Sequence, residues 1–238
     1  MTEPLPDADV VMHEHPDVQG GWLRPAVFGA MDGLVSNFAL IMGVTGGSSD
    51  PKPVVVAGLA GLVAGACSMA AGEYTSVASQ RELAMAQVAI ERAEILGNEP
   101  AEEAELAAMF VDKGVDEEVA REVASQIHRD VDNAVAVHAQ EEMGIDVDDL
   151  PSPWVAAGSS FVSFAVGALV PLLPLMLGVT SSVPTILLSL VALFACGAVV
   201  TRVTSRSWWY GGLRQLVLGG AAAGITYLIG EAIGTQVG

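Results

Sequence analysis

Five long apolar stretches alternate with polar segments along the chain. Each is long enough to cross a bilayer as a helix, which takes roughly 20 residues, and they cover approximately 23–44, 54–78, 155–179, 183–203 and 213–234. Glycines such as Gly58, Gly61 and Gly65 are typical of helices that approach one another closely in lipid. A buried soluble bundle is the alternative, but five such runs leave little polar surface to solvate it. The pattern therefore predicts an all-α protein with five transmembrane helices.

A polar insert separates the second span from the third. Residues 79–97 continue the helical pattern of span two until the Gly-Asn-Glu-Pro sequence at 97–100 ends it. A second helix is predicted at about 101–112, and a third at about 116–143, ending at Gly144. We therefore divide the chain into an acidic tail at 1–21, which we expect to be disordered, spans one and two at 22–78, a three-helix insert at 79–153, and spans three to five at 154–238.

Composition and charge support this division. The chain is 52% hydrophobic and 16% charged, with a mean hydropathy of +0.50, whereas a soluble domain is about 25% charged. Its net charge is −18, and the insert alone holds 19 of the 28 acidic residues against five basic ones, a net of −14. Such a charge excludes a nucleic-acid partner, because a phosphate backbone would be repelled.

The basic residues predict the orientation in the membrane. Cytoplasmic loops carry the excess of Lys and Arg, and placing the N-terminus, the insert and the 202–214 connection in the cytoplasm puts only Lys52 outside. The C-terminus is then expected outside. All four tryptophans lie at the cytoplasmic interface in this arrangement, as indole rings prefer. The nine cytoplasmic basic residues are Arg24, Arg81, Arg92, Lys113, Arg121, Arg129, Arg202, Arg206 and Arg214.

The insert's acidic residues are spaced so that several share a helix face. Glu91 and Glu94 are three residues apart, as are Glu102 and Glu105. On the third helix His138 lies three and four residues before a pair of acids, Glu141 and Glu142. Like charges on one face destabilise a helix unless a cation neutralises them, and oxygen ligands with an imidazole suit Fe²⁺, Mn²⁺ or another first-row divalent ion. For any single acid, a solvated surface is the simpler interpretation, whereas the clustered pairs taken together favour a metal site.

Ionisable residues within the spans indicate a pathway. Asp32 lies about ten residues into span one, where a carboxylate is costly and points to function. Met69 and Glu73 are four residues apart on one face of span two, and a thioether with carboxylates would suit a divalent cation. Glu231, near the outer end of span five, is within reach of the interface and is given little weight.

Several segments together resemble the vacuolar iron transporter family, in a prokaryotic-type form. They are DGLVSNF at 32–38, GLVAG at 61–65, SMAAGEY at 68–74, SQRE at 79–82, EEMG at 141–144 and SPW at 152–154. The resemblance covers roughly residues 22–235. It implies five spans per subunit, a homodimer with the path between subunits, and export of cytosolic Fe²⁺, often also Mn²⁺, in exchange for protons.

The resemblance also implies roles for individual residues. Asp32 and Met69 match the family's pore aspartate and methionine, whereas Glu73 as a proton carrier is inferred from its position alone. One departure is the His-Ala pair at 138–139, where some relatives have methionines, which favours nitrogen and oxygen ligands on the third helix. The expected metal ligands on the insert are Glu91, Glu94, Glu102, Glu105, and Glu142 or Glu141.

Two functions other than metal export are alternatives for an acidic membrane protein of this kind. A di-iron ferroxidase would need Glu-x-x-His motifs, and none of the four histidines has a Glu three residues before it, so we expect no enzyme and no catalytic cofactor. A membrane-tethered metal buffer or sensor would bind ions without moving them, but it has no use for Asp32 in the membrane. A short chain without targeting signals favours a prokaryotic plasma membrane.

Overall fold

The computed structural model describes residues 21–48, 50–201 and 206–237. Within these ranges the chain is entirely helical and forms eight α-helices. Their bounds are α1 Leu23–Gly47, α2 Pro51–Gly97, α3 Glu99–Asp112, α4 Glu117–Ile127, α5 Val131–Met143, α6 Pro153–Met176, α7 Ser182–Val200 and α8 Trp208–Val237.

Five of these helices, α1, α2, α6, α7 and α8, are long and apolar enough to cross a membrane. The predicted fold class, an all-α protein with five spans, is therefore confirmed. Helix α2 exceeds what a span requires, because its 47 residues extend over about 70 Å at 1.5 Å per residue. Its apolar first half belongs to the membrane bundle and its polar second half projects into the insert.

Helix α1 lies at the centre of the membrane bundle, where it packs against α6, α8, α2 and α7. Its crossing with α6 depends on glycine, because a Cβ added to Gly33 would collide with the carbonyl of Phe164. A Cβ added to Gly167 on α6 would likewise collide with the carbonyl of Ala30. Backbone-to-backbone contact of this kind is how helices associate closely in lipid.

The insert contains one more helix than the sequence predicted. The expected helix at 116–143 is divided into α4 and α5 by a turn at 128–130, so its prediction as a single helix was wrong. The physical reason is a new N-cap: the Asp130 carboxylate accepts a hydrogen bond from the Asp132 backbone N–H, which starts a helix at Val131.

The core of the insert is small and rich in alanine. Leu106 and Ala107 of α3 pack against Ala120 and Ala124 of α4. A second cluster joins Ile95 of α2 to Ala134 and Val135 of α5. The insert is thereby attached to the extended end of α2 mainly through α5.

Tryptophans mark one end of the bundle, as expected for an interface. Trp154 is the second residue of α6 and its ring contacts that of Tyr74 on α2 in a tilted arrangement, with centroids 4.7 Å apart, and Trp208 begins α8. Trp22 precedes α1 and accepts a hydrogen bond from Ser159 through its carbonyl. The predictions for Arg202 and for nearly all of the 1–21 tail fall on residues outside those that the structure describes.

Candidate metal cluster and membrane cavity

Three predicted ligands from two helices meet in the insert. His138 Nδ1 lies 2.9 Å from Glu142 Oε1 and 3.1 Å from Glu91 Oε1. The three residues offer ligand atoms that all lie within 4.8 Å of one another, a spacing that one cation could bridge. Glu91 and His138 are buried, with exposed fractions of 5% and 0%, while Glu142 lies at the surface of the cluster.

The helices place these side chains by simple periodicity. His138 and Glu142 are one turn apart on α5 and so point to the same side. Glu91 comes from the second half of α2, one turn before Ile95, which packs against α5. The α2–α5 contact therefore fixes the distance between the carboxylate of one helix and the imidazole of the other.

The electrostatics of the cluster favour a cation. Burial raises the pKa of Glu91 above the usual range for a glutamate, the Glu142 carboxylate raises it further, and His138 offsets part of the rise. Burial, followed by repulsion from Glu105, likewise raises the pKa of Glu102. A divalent ion would remove this cost by neutralising the carboxylates.

Two buried polar atoms in the cluster are unsatisfied. Glu91 Oε1 and His138 Nε2 have no hydrogen-bond partner among the described residues, although the Glu91 oxygen lies at ion-pair distance from His138 Nδ1. Because buried polar groups normally find partners, an orphaned carboxylate oxygen beside an imidazole fits a site whose natural partner is a metal ion. Carboxylate oxygens and one imidazole nitrogen suit first-row divalent ions.

The remaining predicted ligands surround this cluster unequally. Glu94 on α2 and Glu102 on α3 both interact electrostatically with Glu91. Helix α3 therefore adds negative charge to the region of the cluster. Glu105 adds to the field at Glu102. Glu141 instead forms an ion pair with Lys113 at the end of α3, which leaves Glu142 as the acid of the pair that contacts His138.

The membrane bundle contains a cavity of about 280 Å³ between α1, α2 and α6. Two of the three predicted pathway residues, Asp32 and Met69, line it, as do Ser36, Asn37 and Ser68. Glu73 lies one turn beyond Met69 on α2 and is half-buried. The structure thus brings a carboxylate, a thioether and several hydroxyl or amide groups together inside an apolar bundle.

Asn37 is a residue of this cavity to which the sequence argument gave no role. It is buried, with an exposed fraction of 2%, and its Nδ2 donates a hydrogen bond of 2.6 Å to the Ala168 carbonyl on α6. Its Oδ1 has no partner in the described part of the chain. The available signal was the polar character of Asn37 in an apolar span, directly after Ser36, which lies one turn beyond Asp32.

Sequence comparison finds relatives over nearly the whole chain. The model of the VIT family matches residues 23–231. A vacuolar iron transporter of Acanthamoeba castellanii is 39% identical over 168 residues, which cover 71% of this chain and 60% of that protein. Vacuolar iron transporter homolog 5 of Oryza sativa is 36% identical over 88% of this chain and 79% of its own length. Homolog 1 of Arabidopsis thaliana is 31% identical over 90% and 84%.

Proposed function

The chain belongs to the VIT family, and we propose that it exports divalent iron, and also manganese, from the cytosol across a membrane. The observation that carries this proposal is the cavity within the membrane bundle, where Asp32 and Met69 face the same space. A carboxylate within a membrane helix is expensive. It is most simply explained by a cation that passes it.

Capture of the ion is assigned to the insert. Its net charge of −14 attracts cations over the range of a Debye length, about 8 Å at physiological salt, and so raises their local concentration. Glu91, His138 and Glu142 then supply the ligand atoms, with Glu94 and Glu102 adding charge beside them. Glu105 adds negative charge next to Glu102, whose pKa it raises by repulsion.

Polar side chains recur along α2 between this cluster and the membrane cavity. Gln80 lies on α2 between Glu91 and Glu73 and lines a second cavity, of about 430 Å³, with Gln140 and Asp146. Glu73 follows within the next two turns, and Met69 opens onto the membrane cavity. Oxygen ligands therefore recur along the helix on the way to the bilayer.

In the membrane, Asp32 and Met69 offer a carboxylate and a thioether to the ion, and Asn37 adds a free amide oxygen. Exchange for protons would follow if Asp32 or Glu73 takes up a proton whenever the ion leaves. A second copy of the chain, forming a homodimer, would close the open side of the cavity against lipid. We place the insert in the cytoplasm of a prokaryotic cell, with the protein in the plasma membrane and its C-terminus outside.

The proposal is tested by metal flux into proteoliposomes under an imposed pH gradient, with Fe²⁺ and Mn²⁺ offered separately. Asp32→Asn removes the membrane charge with little change of size. A quadruple Glu→Gln variant at 91, 94, 102 and 105 removes the insert's glutamates. Glu103→Gln is the matched control, since Glu103 neighbours Glu102 on α3 but lines a different groove.

The expected result is gradient-dependent uptake that Asp32→Asn abolishes. The quadruple variant should lower uptake at low metal and approach the wild-type rate at high metal, because capture is lost but passage is kept. Flux that is independent of Asp32 would refute the assigned path. Metal binding without flux in the wild-type protein would instead favour the tethered buffer or sensor.

A further inference from the structure

Two buried histidines lie against each other behind the metal cluster. His128, in the turn between α4 and α5, has an exposed fraction of 5%, and His138 has 0%. Their ring centroids are 5.2 Å apart and the rings are nearly perpendicular. The Nε2 atom of each ring is buried without a hydrogen-bond partner among the described residues. Two orphaned nitrogens on adjacent rings are unusual, because buried polar atoms are normally paired.

The backbone determines which nitrogen of His128 carries its hydrogen. His128 Nδ1 lies 2.9 Å from the Ala124 carbonyl oxygen. A carbonyl oxygen can only accept a hydrogen bond, so the hydrogen of the neutral ring lies on Nδ1. His128 Nε2 is therefore a free acceptor that faces the interior of the insert.

In His138 the ring hydrogen would lie on the other nitrogen, Nε2, when a metal ion is bound. Its Nδ1 faces the two carboxylates of the cluster, so Nδ1 is the nitrogen that would bind the ion. A neutral imidazole that binds metal through one nitrogen carries its hydrogen on the other. The His138 Nε2–H is then a buried donor that needs an acceptor.

We propose that His128 is a positioning residue that accepts this hydrogen bond and thereby fixes the tautomer of His138 in the metal-bound cluster. The inference deepens the proposed capture step and rests on it. Ring spacing allows the pairing, because the two rings are already in contact, with centroids 5.2 Å apart and planes nearly perpendicular. Forming the bond requires the side chains to rotate until the two Nε2 atoms face each other at about 2.9 Å.

A direct metal-binding role for His128 fits less well. The set of ligand atoms within 4.8 Å of one another comprises Glu91, His138 and Glu142, and among the described residues His128 adds no atom to it. His128 acts on the ion through His138, as partners of metal-binding histidines commonly do.

The test uses the full chain in detergent with His13→Ala and His15→Ala, which leaves His128 and His138 as its two histidines. Zn²⁺ affinity is measured by calorimetry for this background, for His128→Phe and for His128→Gln. Phenylalanine keeps an aromatic ring but accepts no hydrogen bond, whereas the glutamine carbonyl can accept one. Loss of such a partner weakens metal binding by roughly 10- to 100-fold.

We expect His128→Phe to bind Zn²⁺ at least about tenfold more weakly and His128→Gln to recover much of the loss. Unchanged affinity in His128→Phe, or an equal loss in both variants, would overturn the proposal. Selective ¹⁵N-histidine NMR of the background protein gives a readout that simple packing would not move. On addition of Zn²⁺, His138 should carry its hydrogen on Nε2, and His128 Nε2 should shift as a hydrogen-bond acceptor does.

The NMR measurement also protects the test against a variant that fails to fold, because it needs no substitution at His128. Zinc bound through His138 Nε2, or a His128 Nε2 signal that does not change, refutes the inference. The outcome is separable from that of the transport proposal, since Zn²⁺ binding with the expected signature and no metal flux would refute transport alone.

Discussion

Metal capture by the insert should release protons, and the release should depend on Glu91. Burial raises the pKa of both Glu91 and Glu102, so these carboxyls keep their protons to a higher pH than an ordinary glutamate does, and a metal ion must displace any proton that remains. The affinity of the insert should therefore rise with pH. The sign follows from linkage, because the metal-free folded protein binds more protons than the metal-bound one.

The magnitude follows from the number of carboxyls involved. Each proton released makes the binding constant rise about tenfold per pH unit, or about 1.4 kcal/mol. Because each of the two groups can release at most one proton, their contribution to the slope of log K against pH should not exceed two, and it should be largest just above the reference Glu pKa of about 4.3. The slope should then flatten at higher pH, where both carboxyls are already ionised in the metal-free protein.

The assay is calorimetry with Mn²⁺ in two buffers of different ionisation enthalpy, between about pH 5 and pH 6, just above the reference Glu pKa of about 4.3. The difference in apparent heat gives the number of protons released. Glu91→Gln should lower that number by up to one and reduce the affinity, whereas the control Glu103→Gln should change neither. The reasoning fails if wild type and Glu91→Gln release the same number of protons, or if Glu103→Gln lowers the release as much as Glu91→Gln does.

Three further outcomes can be measured with single substitutions. Gly33→Val should abolish the monodisperse peak in size-exclusion chromatography, because its side chain would enter the Phe164 carbonyl, while Gly72→Ala, which meets no neighbouring atom, should leave the peak unchanged. Asn37→Leu should lower metal flux in proteoliposomes at least tenfold, with binding by the insert intact, since it removes the free amide oxygen of the membrane cavity. Glu142→Gln should weaken Mn²⁺ binding in calorimetry much more than Glu141→Gln, whose carboxylate is engaged by Lys113.

The sequence was most informative where one property repeats over many residues. The five spans follow from apolar runs, and the structure places them close to the predicted ranges. The division of the helix at 116–143 could not be predicted in the same way. It depends on Asp130, one acid among many, whose capping role becomes visible only once its side chain is seen to accept from the Asp132 N–H.

The candidate site was predictable in its members but not in its arrangement. Glu91 and His138 are 47 residues apart in sequence, and helical spacing says nothing about two helices that meet only in the folded insert. The assignment between Glu141 and Glu142 depends on Lys113, which approaches from a third helix. A role for Asn37 could not be predicted, because an uncharged amide in an apolar span has no distinctive sequence pattern. Its importance depends on its hydrogen bond to Ala168 and on the absence of a partner for its Oδ1 among the described residues.

Helix α2 also fixes the distance and the rotation angle between the insert and the membrane bundle. Met69 and Glu91 are 22 residues apart on it, which corresponds to about 33 Å and about six turns. Because these turns are nearly complete, the two residues lie within about 40° of each other around the helix axis. One residue inserted after Glu82 would rotate the insert by about 100° relative to the bundle. Seven inserted residues would nearly restore the orientation of the insert and would lengthen α2 by about 10 Å. Register, more than length, is then what aligns the proposed capture cluster with the membrane cavity.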